Sequence, residues 1–147
     1  MEIGYYGSGQ KDIKPVNDIY PGIGDPDELF ETLLKLWCSD TCASWLRDKW
    51  SDKNPALGQC SISSFIAQDI FGGKVYGILR PAGNYHCYNV IDGKTFDLTS
   101  SQFGDEVLSY EGNPEQLKEI HLKDKDKERR YAVLTELLRD YCGGKEK

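Results

Sequence analysis

The chain has 147 residues, of which 39% are hydrophobic and 29% charged, and these proportions exclude wholesale disorder. Because a domain averages about 150 residues, we expect a single domain over residues 1–147. The formal net charge of −6 argues against binding to nucleic acid or to an anionic membrane.

The sequence also predicts a soluble, cytoplasmic protein. Its apolar runs are shorter than the roughly 20 residues that span a bilayer. The first ten residues lack the basic and apolar regions of a secretory signal. The five cysteines are an odd number, which favours free thiols in a reducing compartment. The oligomeric state is left open.

The N-terminal third predicts an arm, a helix and a loop. Residues 1–27 carry Gly, Pro and Asp at turn spacing without a sustained period, which indicates an irregular arm. Asp25 and Pro26 are a helix cap and a favoured first-turn residue, and apolar residues follow at helical spacing as far as Trp37. Residues 39–53 predict a loop with no more than one helical turn.

Residues 54–103 predict the core that would carry chemistry. A helix begins at Cys60, has apolar residues on one face and ends at a Gly-Gly pair. Three runs rich in β-branched and aromatic residues follow it: KVYGIL, YHCYNVI and KTFDL. The Asp-Gly pair at 92–93 predicts a hairpin between the last two runs, so we expect an antiparallel sheet.

The C-terminal part predicts mainly one helix. The sequence Asn-Pro-Glu at 113–115 favours a short helix. The charge run at 121–130 predicts a solvated connection. Apolar residues at helical spacing within 129–142 predict a C-terminal helix that covers part of the core.

Cys60 is the candidate nucleophile. A thiol in the first turn of a helix lies beside unpaired backbone N–H groups and the positive end of the helix dipole, and both favour the thiolate. Nucleophilic catalysis also needs a general base. Of the two histidines, His121 lies at the edge of the charge run, whereas His86 lies in the predicted sheet. We therefore take His86 as the candidate base.

The predicted hairpin supplies a third member of the site. If the Asp-Gly pair is a two-residue loop, facing residues are symmetric about it, and Tyr88 faces Asp97. Alternation of side chains then places His86 and Asp97 on one face as diagonal neighbours, with Cα atoms about 7–8 Å apart. A three-residue loop would send Asp97 to the opposite face. The sequence thus predicts a triad of Cys60, His86 and Asp97.

Further residues are candidates for the rest of an acyl-transfer site. The backbone N–H of Cys60 is a natural donor to an oxyanion. The side-chain amides of Gln59 and Asn54 are both candidates for a second donor. Aromatic side chains are candidates for the wall of a substrate groove, or else pack on the rim of the core: Trp45, Trp50 and Tyr88.

No metal or cofactor is expected. Cys38 and Cys42 have the spacing of half a zinc site, but a second pair at zinc-knuckle spacing is missing from the sequence. The predicted acyl chemistry uses side chains alone.

The segments NPALGQCSISSFIAQDIFGG and YHCYNVIDGKTFDLTSSQF resemble the YunG-like family of bacterial proteins. The Gly-Gln-Cys sequence at 58–60 resembles that of transglutaminases, although these usually have an aromatic residue in place of Ser61. The spacing from His86 to Asp97 is similar to that of transglutaminase-like and other papain-like enzymes. The resemblance covers residues 54–103 and implies an α+β, papain-like fold, in which a helix led by cysteine packs on an antiparallel sheet.

The sequence therefore predicts a cysteine-dependent acyl hydrolase or transferase of the peptidase, amidase or transamidase type. Its substrate would be a peptide, a protein or a small amide. The alternative is a catalytically inactive papain-like module that binds a peptide or protein partner. A Cys60 thiol that is open beside His86 favours the enzyme, whereas a thiol sealed under residues 45–50 favours binding or a gated site.

Overall fold

The computed structural model describes residues 3–145, which form an α+β structure with a four-stranded antiparallel sheet. The α-helices are α1 (Pro26–Leu36), α2 (Cys60–Phe71), α3 (Lys118–His121) and α4 (Lys125–Lys145). The strands are β1 (Lys74–Leu79), β2 (Tyr85–Ile91), β3 (Lys94–Phe96) and β4 (Glu115–Gln116). Short 3-10 helices cover Ser39–Thr41, Ser44–Lys49 and Ser100–Phe103. In this part of the chain, no helix is long and apolar enough to cross a membrane.

The β2–β3 hairpin has the predicted two-residue turn. The strands of the sheet lie in the order β3-β2-β1-β4, and Val90 faces Thr95 across the hairpin. Asp92 and Gly93 both have positive φ angles, 52° and 77°, as the tight turn of a right-twisted hairpin requires. The predicted register is therefore confirmed, and it fixes which residues share a face of the sheet.

Helix α2 begins at Cys60, as the sequence predicts, and packs against β2. The buried side chain of Asn89 on β2 donates a hydrogen bond of 2.9 Å to the Ser64 carbonyl of α2. Beside this bond, Phe65 packs with Cys87 and other buried apolar side chains. The N-terminus of α2 is thereby held against the sheet near the start of β2.

Helix α1 follows the predicted cap. The Asp25 carboxylate accepts the Glu28 N–H at 2.9 Å, and Pro26 is the first helical residue. Leu33 of α1 and Leu138 of α4 are fully buried in the same cluster as the apolar face of α2. The main core thus lies between the three longer helices and one face of the sheet.

Two predictions for the C-terminal part are wrong. Residues 115–116 form the edge strand β4, which pairs with β1, and not the short helix expected at 113–115. The charge run is mostly helical, because Asp124 accepts the Lys127 N–H at 2.9 Å and caps α4. Its end is also buried, since the Arg130 guanidinium donates to the Thr41 carbonyl at 3.2 Å. Helix α4 therefore begins four residues before the predicted one.

The N-terminal arm lies along the outer edge of β3. Tyr6 pairs with Asp97 in an antiparallel bridge, and the Asp97 N–H donates to the Tyr6 carbonyl at 2.9 Å. The Gln10 side chain donates to the Thr95 carbonyl at 3.1 Å. At Gly7 the backbones approach so closely that a Cβ atom would lie 2.2 Å from the Thr95 carbonyl oxygen. The arm is irregular, as predicted, and it is fixed to the sheet.

We expect any side chain at Gly73, which joins α2 to β1, to destabilise the protein. Its φ angle is +72°, and an added Cβ would lie 2.5 Å from the Val90 carbonyl oxygen. Gly93 has a similar φ angle of +77°, with open space around it. We expect G93A to lower the free energy of unfolding by about 1–2 kcal/mol from backbone strain. G73A should cost about 1–3 kcal/mol more because of the clash.

Urea unfolding followed by tryptophan fluorescence measures both losses. Equal losses in the two variants would contradict the close approach at Gly73.

Candidate active site

A cavity of about 270 Å³ opens at the N-terminus of α2. Cys60 lines it from the helix, and His86 lines it from β2. The loop that precedes β2, two of the 3-10 helices and the start of α4 complete its wall. Cys60 is partly exposed, so the thiol is open to the cavity beside the imidazole.

His86 and Asp97 form a buried pair. The distance from His86 Nε2 to Asp97 Oδ2 is 2.6 Å, and the side chains are 1% and 0% exposed. The second ring nitrogen, Nδ1, is buried and has no hydrogen-bond partner among the described residues. Because Nε2 is hydrogen-bonded to the Asp97 carboxylate, Nδ1 is the ring nitrogen that remains for proton exchange with the Cys60 thiol.

The Asp97 carboxylate accepts further hydrogen bonds. The Tyr110 hydroxyl donates to Oδ2 at 2.8 Å, and the Thr99 backbone N–H donates to Oδ1 at 3.2 Å. Burial and the nearby carboxylate raise the pKa of Tyr110 well above its ordinary value, so the phenol stays protonated and remains a donor. Tyr88 supports this arrangement, because its hydroxyl donates to the Tyr110 carbonyl at 3.1 Å.

The Cys60 thiol has a pKa well below its ordinary value. The largest cause is the neighbouring Cys87 thiol, and the neighbouring His86 acts in the same direction, which together outweigh burial. The pKa of Cys87 is raised for the complementary reason, since it donates to Cys60 and is buried. These opposite shifts favour the thiolate on Cys60 over the thiolate on Cys87.

The imidazole of His86 is the matching cation. Burial lowers the pKa of His86, but the hydrogen bond to Asp97 and the neighbouring Cys60 oppose that effect and raise it to about 10. The lowered pKa of Cys60 and the raised pKa of His86 both favour a thiolate–imidazolium pair. Phe103 fixes the imidazole, because its ring packs edge-to-face with His86 at a centroid distance of 4.7 Å.

Neither residue predicted as an oxyanion donor lies in the cavity wall that the described residues form. The Gln59 side chain is fully buried and donates to the Cys38 carbonyl at 3.2 Å, away from the cavity. Asn54 is not part of the cavity wall that the described residues form. Asn84, in the loop before β2, does line the cavity, and its Oδ1 is buried without a partner among the described residues. Only the folded loop brings this amide close to Cys60.

The three aromatic residues predicted to line a substrate groove lie in three different environments. Trp45 lines the cavity and is 61% exposed. The Trp50 indole donates to the Pro55 carbonyl at 3.0 Å, outside the wall that the described residues form. Tyr88 is buried in the hydrogen-bond network behind Asp97. Of these aromatic side chains, Trp45 is the one in a position to contact a ligand.

Two cavity residues come from the charge run. His121 and Lys127 both line the wall, and the Lys127 ammonium donates to His121 Nδ1 at 2.8 Å. Burial and the positive charge of Lys127 lower the pKa of His121 to about 4, so this histidine is neutral near pH 7. The sequence assigned the run to a solvated connection, and its charge pattern held no signal for this placement. Residues 3–145 contain no group of three or more His, Cys, Asp or Glu side chains arranged to hold a metal ion.

The fold and the site define a small α+β protein in which a helix-leading cysteine lies beside a buried histidine–aspartate pair. The family model described as YunG protein matches residues 25–143, so the chain belongs to the YunG family. It is similar to the "Uncharacterized protein YunG" of Bacillus subtilis (strain 168), with 35% identity over 82 residues, which cover 54% of this chain and 70% of the relative. No solved structure matches the chain.

Replacing Asp97 should change the ionisation of Cys60. In D97N, His86 loses the carboxylate that raises its pKa, so the imidazole is neutral at a lower pH and stabilises the thiolate less. In the native protein, we expect iodoacetamide to alkylate Cys60 rapidly at pH 6. In D97N, we expect rapid alkylation only at a pH nearer the ordinary thiol pKa of about 8.5.

Peptide mass spectrometry reads the alkylation of each cysteine from pH 5 to 9, and Cys38, which is also partly exposed, serves as the internal reference. Asp105→Asn is the matched control, since it removes the same charge from an exposed loop. An unchanged pH profile in D97N would show that Asp97 does not control the pair.

Proposed function

We propose that this protein is a cysteine-dependent acyl hydrolase or transferase with a papain-like arrangement of helix and sheet. The observation that supports the proposal most strongly is the Cys60 thiol and the His86 imidazole in one cavity wall, with the buried Asp97 carboxylate bonded to the imidazole from behind. His86 bonds to Asp97 through Nε2 and keeps Nδ1 unpaired beside Cys60. That is the arrangement of nucleophile, base and orienting group that acyl transfer requires.

The first chemical step is formation of a thioester. The Cys60 thiolate attacks the acyl carbon of an amide, and the carbonyl electrons move onto oxygen. When the tetrahedral species collapses, the carbon–nitrogen bond breaks and His86 Nδ1 gives its proton to the departing amine. Asp97 holds the ring with Nε2–H directed at its carboxylate, so Nδ1 faces the reaction.

The second step releases the acyl group. Neutral His86 accepts a proton at Nδ1 from an incoming water, whose oxygen attacks the thioester carbon. The carbon–sulfur bond then breaks to yield a carboxylic acid and the Cys60 thiolate beside the imidazolium. An amine in place of water gives a new amide by the same proton transfers, so hydrolysis and transfer share one mechanism.

Two groups are placed to stabilise the oxyanion. Cys60 is the first residue of α2, so its backbone N–H has no partner within the helix. The Asn84 amide lines the same cavity. Donors directed at the oxyanion supply much of the rate acceleration in acyl transfer.

The architecture supports the same proposal. Helix α2 begins with the cysteine and packs on the antiparallel sheet that carries His86, which is the papain-like order of elements. The YunG family match, residues 25–143, includes all three members of the site. The open thiol favours an enzyme over an inactive binding module.

A simple activated ester tests the chemistry. With p-nitrophenyl acetate, we expect release of p-nitrophenolate and an acetyl group on the Cys60 peptide. C60A and H86A should each abolish the acetylation, whereas C38A, which removes the other partly exposed thiol, should not. A folded native protein that forms no Cys60 adduct would exclude the acyl mechanism and leave the binding module as the function.

Asn84→Ala should slow acylation of Cys60 by about 10²-fold, because one oxyanion donor is lost. Asn54→Ala is the matched control, since Asn54 lies outside the described cavity wall, and we expect its rate to equal that of the native protein. Stopped-flow detection of p-nitrophenolate measures both rates. A larger loss in N54A than in N84A would return the donor role to Asn54.

A further inference from the structure

The cavity contains a positive charge that no protein carboxylate neutralises. The Lys127 ammonium is partly buried in the wall, and its neighbour at 2.8 Å is the nitrogen of neutral His121. His121 in turn contacts the Gln116 amide oxygen at 2.8 Å, which fixes Nδ1 as the acceptor for Lys127. Within the described residues, no carboxylate lies within 4 Å of the ammonium, so it keeps its full charge and further N–H donors.

A second cation in the cavity wall, Arg130, already has a carboxylate partner. Arg130 donates to the Asp126 carboxylate at 2.9 Å and to the Thr41 and Gly58 carbonyls. Its charge is paired and its guanidinium is buried by protein contacts, so its role is structural. Of the described residues that line the cavity, none carries a carboxylate, although the chain has an overall charge of −6. Cys60 supplies the negative charge that faces His86 in the cavity, and Lys127 is the lining cation without a paired anionic side chain among the described residues.

Because the cavity is small, any anion that contacts Lys127 inside it lies close to the Cys60 thiol. Its volume of about 270 Å³ is at the small end of ligand pockets, which span about 300–1,000 Å³. Cys60 and Lys127 line this one small cavity. A group that reaches Lys127 therefore belongs to the residue at the reacting bond or to its neighbour.

We propose that Lys127 binds a carboxylate of the substrate next to the acyl group that Cys60 attacks, so that the preferred substrates are acidic amides. The inference rests on the proposed acyl chemistry. Lys127 is a specificity-determining residue, and His121 positions it. The substrate carboxylate supplies the ion-pair partner that Lys127 lacks among the described residues, and partial burial strengthens the attraction.

Two alkylating reagents test the charge preference without a known substrate. Iodoacetate carries a carboxylate next to its reacting carbon, and iodoacetamide is its neutral analogue. The measured quantity is the ratio of their rate constants at the Cys60 peptide, at low salt. In K127Q we expect this ratio to fall about tenfold, because the charge is lost. The ratio cancels any change in the thiolate fraction of Cys60, because the same sulfur reacts with both reagents.

The controls separate local charge from the overall field. Lys125→Gln removes the same charge from an exposed position on the same helix, and its ratio should equal that of the native protein. K127R keeps the charge and should retain most of the native ratio. A K127Q ratio within twofold of the native one, with rapid iodoacetamide labelling, would overturn the role of Lys127 alone. Slow labelling of native Cys60 by both reagents would instead overturn the acyl chemistry and, with it, this inference.

Discussion

The buried bond between His86 and Asp97 is the constraint on which the rest of the structure depends. A carboxylate with no exposed surface is tolerated only when its oxygens are satisfied. The protein meets that requirement from three directions: the imidazole on β2, the Thr99 amide just past β3 and the Tyr110 hydroxyl from a later loop. The N-terminal arm adds a fourth contact through the backbone of Asp97. Segments far apart in the chain are thus fixed around one side chain.

The same bond sets the chemistry of the neighbouring thiol. Because Asp97 raises the pKa of His86, the imidazole beside Cys60 favours its charged form, and Nδ1 has no hydrogen-bond partner among the described residues. The Cys87 thiol stabilises the same sulfur from the adjacent position on β2. Helix α2 contributes its first turn, where unpaired backbone N–H groups also favour a negative charge. Each contribution is modest alone, and together they place the charge on one of two neighbouring thiols.

Short-range sequence features are sufficient to predict that His86 and Asp97 lie together, but they do not predict which residues form the cavity wall. The cap at Asp25, the start of α2 and the two-residue turn are short-range features, and the turn alone determines that His86 and Asp97 share a face. Tyr110 and Asn84 lie in loops without periodicity, so no pattern indicates what they contact. Lys127 occurs in a run that reads as solvated, and only the packing of α4 brings it into the cavity. Long-range contacts of this kind leave no mark in a single sequence.

The placement of the arm along β3 also bears on self-association. An unpaired strand edge is a template for another chain, and proteins protect such edges by covering them or keeping them short. Here the backbone of Tyr6 and the side chain of Gln10 occupy hydrogen-bonding groups at the outer edge of β3. The opposite edge of the sheet is β4, only two residues long within the described chain. The arm that fixes the backbone of Asp97 therefore also covers this edge, so that protection of the sheet edge and the position of Asp97 depend on the same few residues.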